Sequence, residues 1–426
     1  MAKQPEIVIT GAGAVCGAGA TVEGIWQKVR EGQTALRPIE QWDPANWPVK
    51  LAAEVAENNR TLVPDRKLHK SISRTDMFGL YAADHAVEES GLLEHRAGLP
   101  DGEVAAFNDR SGIIAGSGGG TFASNYDYLP LIAEVEGKLP EFGRELSNMV
   151  TPMWLLKNLP NNVLCHVGIK HQFKGTNACI TNQCAGGSLA ISESAEMIRA
   201  GEADRMVAIG HDTSLEPESV YYYHRCGLMS EDGLRPFDKD RSGTLFGEGA
   251  AAVVLETRQG AEARGAKVIG EYLGSGCVSE ASGILDLRED GDGVARAVDL
   301  ALADAGITAG EVGMICAHGN GTPGSDATEA LGIRKVFGEA IPPVTGFKWC
   351  YGHLIAASGI IDAVVALSAL RDGVVPGIAS LEAIDPAIAP FPVSADRRDP
   401  AGDVALVICR GFGGMNVALV IRAGSA

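Results

Sequence analysis

The chain has 426 residues, 46% of them hydrophobic and 21% charged, so a large core can form and a disordered chain is excluded. Its length suits two or three domains or one large α/β unit. The formal charge of −18 repels phosphate backbones, which argues against nucleic acid as a partner and makes any local basic cluster informative.

The N-terminal run MAKQPEIVITGAG leads directly into a strand over Glu6–Thr10, without the basic leader and apolar core of a secretory signal. No uncharged apolar stretch reaches the roughly 18 residues of a membrane-spanning helix, so no membrane association is expected. The nine cysteines are scattered without Cys-x-x-Cys spacing, which argues against a disulfide framework or a structural zinc site. The expected compartment is a reducing cytoplasm. Gly11, Gly13 and Gly17 imitate a dinucleotide fingerprint. Their spacing is wrong, and no second strand ending in an acidic residue follows about 20 residues on. They read as a tight strand-to-helix turn. The densest basic cluster is Arg66, Lys67, His69 and Lys70, followed by Arg74.

A helical pattern spans Arg74–Ser90 and closes on Gly91. A short apolar strand, Gly112–Ala115, runs into Gly118-Gly119-Gly120. Cys184 then stands where a loop becomes a helix, Ala185–Ala200, closed by Gly201. Free N–H groups and the helix dipole at that position favour a thiolate. Further buried strands are expected over Met206–Gly210, Ala250–Glu256 and Val312–Ala317. The last of these ends in a Gly-rich turn carrying His318. His353 opens the helical run that includes Ile360–Arg371, a position with nearby donors that favours a neutral ring. Val404–Arg422 reads as two strands around Gly411-Phe412-Gly413-Gly414, whose N–H groups suit an oxyanion.

The segment 111–121 echoes 312–322: each is a buried strand entering a Gly-rich turn that closes on Thr. A duplicated α/β half gives such an echo, dividing the chain into 1–256, with the cysteine, and 257–426, with both histidines. Three turns after strands bring one Cys and two His, and a fourth brings oxyanion donors. Nucleophile, acid/base groups and oxyanion donors are the parts that acyl transfer needs.

These residues resemble the β-ketoacyl-ACP synthase family, of the elongating type, over essentially the whole chain. The motifs are Val8-Ile-Thr-Gly-Ala-Gly13, Ala115-Gly-Ser-Gly118, the Cys184 elbow, Ala200-Gly-Glu-Ala-Asp204, Arg235-Pro-Phe-Asp-Lys-Asp240, Phe246-Gly-Glu-Gly249, His318-Gly, Lys348 to His353, and Gly411-Phe-Gly-Gly414. The resemblance implies a thiolase-like five-layered αβαβα fold of two pseudo-duplicated halves, and a dimer, homo- or heterodimeric with a ketosynthase-like subunit. It implies Cys184 as the nucleophile that holds the acyl chain, with His318 and His353 serving malonyl decarboxylation. Lys348 and Glu329 match a charged pair beside the histidines. The N–H groups of Cys184 and Phe412 match the oxyanion hole, and Phe412 also matches a gate. Asn320, Thr322 and Gly413 fall at substrate-binding positions, and Gly119 stands where relatives often carry a bulky aliphatic residue. The partner implied is an acyl carrier protein, for which Arg66, Lys67, Lys70 and Arg74 are the candidate docking site. No metal or organic cofactor is implied, because the phosphopantetheine belongs to the carrier.

Three departures bear on the substrate. Asn320 replaces a hydroxyl in the His318 turn, Trp349 and Tyr351 replace small residues before His353, and Cys409-Arg410 replaces Ser-Phe before the Phe412 turn. They point toward a type II polyketide or polyene pathway as an alternative to fatty-acid elongation. The rival readings are a degradative thiolase and a chain-length-setting partner subunit. The second histidine argues against the first, and the presence of Cys184 against the second.

Overall fold

In the computed structural model, which describes residues 4–119, 129–150 and 152–424, ten strands share one sheet. They are β1 (Ile7–Cys16), β2 (Ser111–Ser117), β3 (Asn177–Ile180), β4 (Arg205–Asp212), β5 (Gly249–Thr257), β6 (Gly270–Ser279), β7 (Met314–Cys316), β8 (Val344–Thr345), β9 (Val404–Gly411) and β10 (Met415–Ala423). Five helices frame the argument: α1 (Arg74–Glu89), α2 (Gly186–Arg199), α3 (Asp292–Ala305), α4 (Pro323–Phe337) and α5 (Ser358–Arg371).

The sheet order is β8-β7-β9-β10-β6-β1-β5-β4-β2-β3. Outward from the central β6–β1 contact, both arms repeat one pattern. The pairs β1–β5 and β5–β4 are antiparallel, then β4–β2 and β2–β3 are parallel. The pairs β6–β10 and β10–β9 are antiparallel, then β9–β7 and β7–β8 are parallel. The echoed segments are the equivalent strands β2 and β7. Gly120 and Thr121, at the end of the first echo, lie outside the described residues.

Helices α2 and α5 follow equivalent strands and form the middle layer. α5 packs on β9, β10 and β7 of one arm and on β4 and β5 of the other. Its sequence, SGIIDAVVALSALR, is mostly apolar and buried from Ser358 to Leu370, as a helix packed on both arms of the sheet requires. Each fully buried Ile or Val there contributes on the order of 1.5–3 kcal/mol. α1 covers β1, β5 and β4 on one outer face, and α3 covers β6 and β10 on the other. This is the thiolase-like αβαβα stack. The start of α1 is set by a capping box, in which Ser73 accepts from the Asp76 N–H and the Asp76 carboxylate accepts from the Ser73 N–H.

Of the N-terminal motif, Gly17 lies in the turn that follows β1, but Gly11 and Gly13 do not make a turn. Gly11 and Gly13 lie inside β1, and a Cβ at either would sit 2.2 Å from the Ala86 carbonyl oxygen or 2.1 Å from that of Ala82. They are bare so that α1 can rest directly on the strand.

Candidate active site

Four turns at the carboxyl ends of β3, β7, β8 and β9 converge, the place where open α/β sheets bind ligands. Cys184 occupies a 3₁₀ turn, Gln183–Ala185, immediately before α2. The turn is sharp enough to hold Gln183 at φ 46°, a left-handed conformation rare for a non-glycine. The other arm repeats the device: Ile355, at φ 44°, opens the 3₁₀ turn Ile355–Ala357 before α5. The Gln183 side chain donates to the Gly118 carbonyl at 3.1 Å, which ties the elbow to the end of β2.

Cys184 Sγ lies 3.5 Å from His353 Nε2, and the rings of His353 and His318 are 5.1 Å apart. The Ile355 N–H donates to His353 Nδ1 at 3.0 Å, and the Ser358 hydroxyl meets the same nitrogen at 3.0 Å. A backbone N–H can only donate, so Nδ1 is unprotonated and the ring proton sits on Nε2, facing the sulfur. The Arg410 N–H meets His318 Nδ1 at 3.3 Å and places the His318 proton on Nε2 in the same way. Both histidines therefore present an N–H to the site.

Burial holds His353 well below the ordinary histidine range, and Lys348 adds to the effect. Burial does the same for His318, reinforced by Lys348, His353 and Arg410. Both rings are neutral donors. The Cys184 thiol departs from the sequence expectation: burial pushes it well up, Cys409 adds to this and Lys348 opposes it. Desolvation in the closed pocket outweighs the helix dipole, so the resting group is a thiol.

Lys348 and Glu329 are both completely buried but are not ion-paired to each other. Lys348 Nζ pairs with Asp362 at 2.8 Å, and Tyr351 donates to the other oxygen of Asp362 at 2.5 Å. Glu329 instead accepts the N–H groups of His318 at 2.7 Å and Gly319 at 3.0 Å, and so shapes the His318 turn. Asp326, one helical turn earlier on α4, accepts from Gly321 and Phe237 and fixes the rest of that turn. Asp362, Ser358 and Asp326 escaped the sequence reading, although acidic residues three apart after Thr322-Pro323 signal a helix start.

Cys184, His318 and His353 line one cleft together with Tyr223, Phe246 and Phe412. Asn320 and Thr322 also line it, and Asn320 Oδ1 accepts from the Thr322 hydroxyl at 2.8 Å. Phe412 packs on Tyr223 with ring centroids 5.3 Å apart. The turn between β9 and β10 reaches the elbow, since a Cβ on Gly411 would stand 3.7 Å from the Cys184 nitrogen. Gly413 donates to the Ile284 carbonyl at 2.8 Å and joins that turn to the wall of the cleft. Trp349 and Tyr351 are buried beneath the site and do not line the cleft, so their size leaves its shape alone.

The remaining expected residues lie apart from this cleft. Gly119 has φ +113° and no described atom within 4 Å of a Cβ built there. Arg66, Lys67 and Lys70 are exposed. Arg74 does not belong with them: its guanidinium donates to Asn59 and to the carbonyls of Val55 and Glu57, 3.6 Å from Glu248. It holds a loop together and is not free to meet a partner. Among the described residues, no cluster of three or more His, Cys, Asp or Glu could hold a metal ion, and no helix is long and apolar enough to cross a membrane.

Residues 4–261 match the model of the β-ketoacyl synthase N-terminal domain, and residues 269–382 match that of the C-terminal domain. The chain is 32% identical over 433 residues to the 3-oxoacyl-[acyl-carrier-protein] synthase 2 of Coxiella burnetii, covering 98% of this chain and 99% of the relative. It is 32% identical over 376 residues to the Vibrio cholerae protein of the same name, with 86% of each chain covered. Among solved structures, the ishigamide ketosynthase/chain length factor superposes with a TM-score of 0.86 at 26% identity, covering 99% of this chain and 100% of that one.

Proposed function

The chain belongs to the β-ketoacyl synthase family, and we propose that it is a β-ketoacyl-ACP synthase that elongates an acyl group carried on Cys184. The carrying observation is the placement of the Cys184 sulfur 3.5 Å from His353 Nε2, with His318 beside it, at the base of one cleft. Curated relatives named for acyl-carrier-protein substrates along nearly the full chain support the carrier.

The chemistry divides into two half-reactions. In the first, Cys184 sulfur attacks the thioester of acyl-ACP. The carbon–sulfur bond to the carrier breaks, and the thiol proton of Cys184 ends on the departing carrier sulfur. The carbonyl oxygen develops negative charge toward the N–H groups of Cys184 and Phe412. In the second, malonyl-ACP enters, its carbon–carboxylate bond breaks, and carbon dioxide leaves. The electron pair becomes an enolate whose oxygen accepts from the Nε2–H groups of His318 and His353. The enolate carbon then attacks the Cys184 thioester, a carbon–carbon bond forms, the carbon–sulfur bond to Cys184 breaks, and the released thiolate takes up a proton from solvent to restore the thiol. Neutral histidines suit this role because a donor that stays protonated on Nε2 needs no acid–base cycle. The scheme balances without a metal or organic cofactor.

The exposed Arg66, Lys67 and Lys70 are the proposed contact for the acidic carrier, in a chain whose net charge is −18. A dimer is proposed because β3, the outermost strand of its arm, has one edge unpaired among the described residues and Ile169 nearby is 73% exposed.

The test is to mix the protein with acyl-ACP, measure its intact mass, and then add malonyl-ACP. Acyl mass on the peptide containing Cys184, followed by a 3-oxoacyl-ACP product, is expected. An unmodified protein that yields no product overturns the proposal.

A further inference from the structure

Arg410 is 4% exposed, an unusual depth for a cation, and each nitrogen of its guanidinium has a partner. Nε donates to Asn416 Oδ1 at 2.9 Å, across the turn on β10. Nη1 donates to the Ser325 carbonyl at 2.7 Å and to the Thr328 hydroxyl at 2.9 Å, both on α4. Nη2 pairs with Glu280 at 3.1 Å, at the end of β6, and Glu280 also accepts from Asn416 at 2.9 Å. The backbone N–H of the same residue orients His318.

These contacts join two turns that lie far apart in the chain. α4 carries Glu329, which accepts from His318 and Gly319 and so sets the His318 turn. Strands β9 and β10 carry the Phe412 turn between them. A planar fork with fixed donor directions holds such a junction at one geometry, which an ammonium or an apolar side chain cannot do. A buried Arg–Glu pair is at best weakly stabilising, so its depth points to geometry as its use.

We infer that Arg410 is a positioning residue that holds the His318 turn and the Phe412 turn in register for the decarboxylation and condensation steps. The inference rests on the synthase reading above and extends it to a residue at the cleft wall whose guanidinium is spent on α4, β10 and the end of β6.

The test compares Arg410→Met and Arg410→Lys with wild type as purified full-length protein. Three quantities are read: the iodoacetamide alkylation rate of Cys184, the release of carbon dioxide from malonyl-ACP, and the kcat and KM of condensation. Expected in both variants are alkylation within about twofold of wild type, decarboxylation lowered at least about tenfold, and a loss in kcat with KM changed less than about threefold, since small misplacements of reacting groups cost rate more than binding. Arginine as mere packing predicts a lower melting temperature with unchanged decarboxylation in the folded fraction, and that result overturns the inference. Should both variants fail to fold, Thr328→Val removes one acceptor at nearly constant shape. It is expected to slow decarboxylation about threefold, and an unchanged rate overturns the inference. A wild-type protein that is neither acylated nor able to decarboxylate malonyl-ACP overturns the synthase reading instead.

Discussion

Lys348 and Asp362 form an ion pair, Nζ to Oδ2 at 2.8 Å, with both side chains wholly sealed from solvent. Burial pulls the lysine down, but Asp362 outweighs it and the net shift is upward, so the cation is retained beneath the two histidines. Removing one partner leaves the other charged and alone in a low-dielectric interior. Lys348→Met is expected to cost about 3–5 kcal/mol of stability, and the double variant Lys348→Met/Asp362→Leu to cost less than either single change. Urea denaturation of the three variants checks this. A single variant as stable as wild type removes the pair from the account.

Cys184 is distinguished from the other eight cysteines by position and not by resting ionisation. Cys179 sits on β3 with its thiol 3.3 Å from the Pro160 carbonyl, and Cys350 is buried against Gln33. Cys184→Ala is expected to abolish condensation, while Cys179→Ala and Cys350→Ala retain it. Decarboxylation of malonyl-ACP is expected to survive Cys184→Ala, because both Nε2–H donors remain. His318→Ala or His353→Ala should lower it at least about 100-fold. Normal condensation by Cys184→Ala excludes it as the nucleophile.

The histidines also make a prediction about pH. The active form is the neutral ring, and burial lowers both pKa values below the ordinary 6.5. A lowered pKa keeps the neutral form dominant as pH falls through the ordinary range, so activity is lost only further down. The kcat for decarboxylation at saturating malonyl-ACP should therefore stay level from pH 7.5 to about 6. An acid limb with its midpoint near 6.5 places at least one ring in an ordinary environment.

How much of this was legible in the chain depends on whether the cause was local. Cys184, His318 and His353 each follow a buried strand in a glycine-rich or sharp turn, and that pattern is written in consecutive residues. The duplication was visible because β2 and β7 carry similar segments, although the sheet order was not. Non-local partnerships stayed hidden. The family resemblance paired Lys348 with Glu329, yet the helix geometry of α5 delivers Asp362 to the lysine and α4 turns Glu329 toward backbone N–H groups. Gly11 and Gly13 were read as a turn because a bare position needed for a close helix looks the same in sequence as one needed for a bend. Burial, which decides the state of the Cys184 thiol, is a property of the assembled fold alone.

The basic cluster divides into two jobs. Arg66, Lys67 and Lys70 are exposed, whereas Arg74 is spent on carbonyls of its own chain. Charge reversal at Lys67 and Lys70 is expected to weaken carrier binding and slow association, more at low salt than at high salt. Arg74→Ala is expected to lower stability and to leave the salt dependence of binding alone. Surface plasmon resonance against acyl-ACP at two ionic strengths separates them. An affinity indifferent to Lys67 and Lys70 at low salt rejects the patch.

Gly119 joins a constraint to an opportunity. Its φ of +113° is one that L side chains rarely adopt, and a Cβ built there meets no described atom within 4 Å. The turn therefore needs glycine. Sterics alone predict that Gly119→Ala costs about 1–2 kcal/mol, since the left-handed side of the map penalises any Cβ. If that were the whole of it, the products of the folded enzyme would not change. The elbow beside Cys184 is tied to this strand end through Gln183 and the Gly118 carbonyl, so bulk added at Gly119 is expected to act on the acyl chain through that link. Such bulk should shorten what fits. Gly119→Ala and Gly119→Ile are expected to lower the longest product in steps, with Gly119→Ile the more restrictive. Product mass spectra from the soluble fraction of each variant, read beside their melting temperatures, separate the two effects. An unchanged length ceiling in a folded Gly119→Ile protein limits the role of this glycine to its turn.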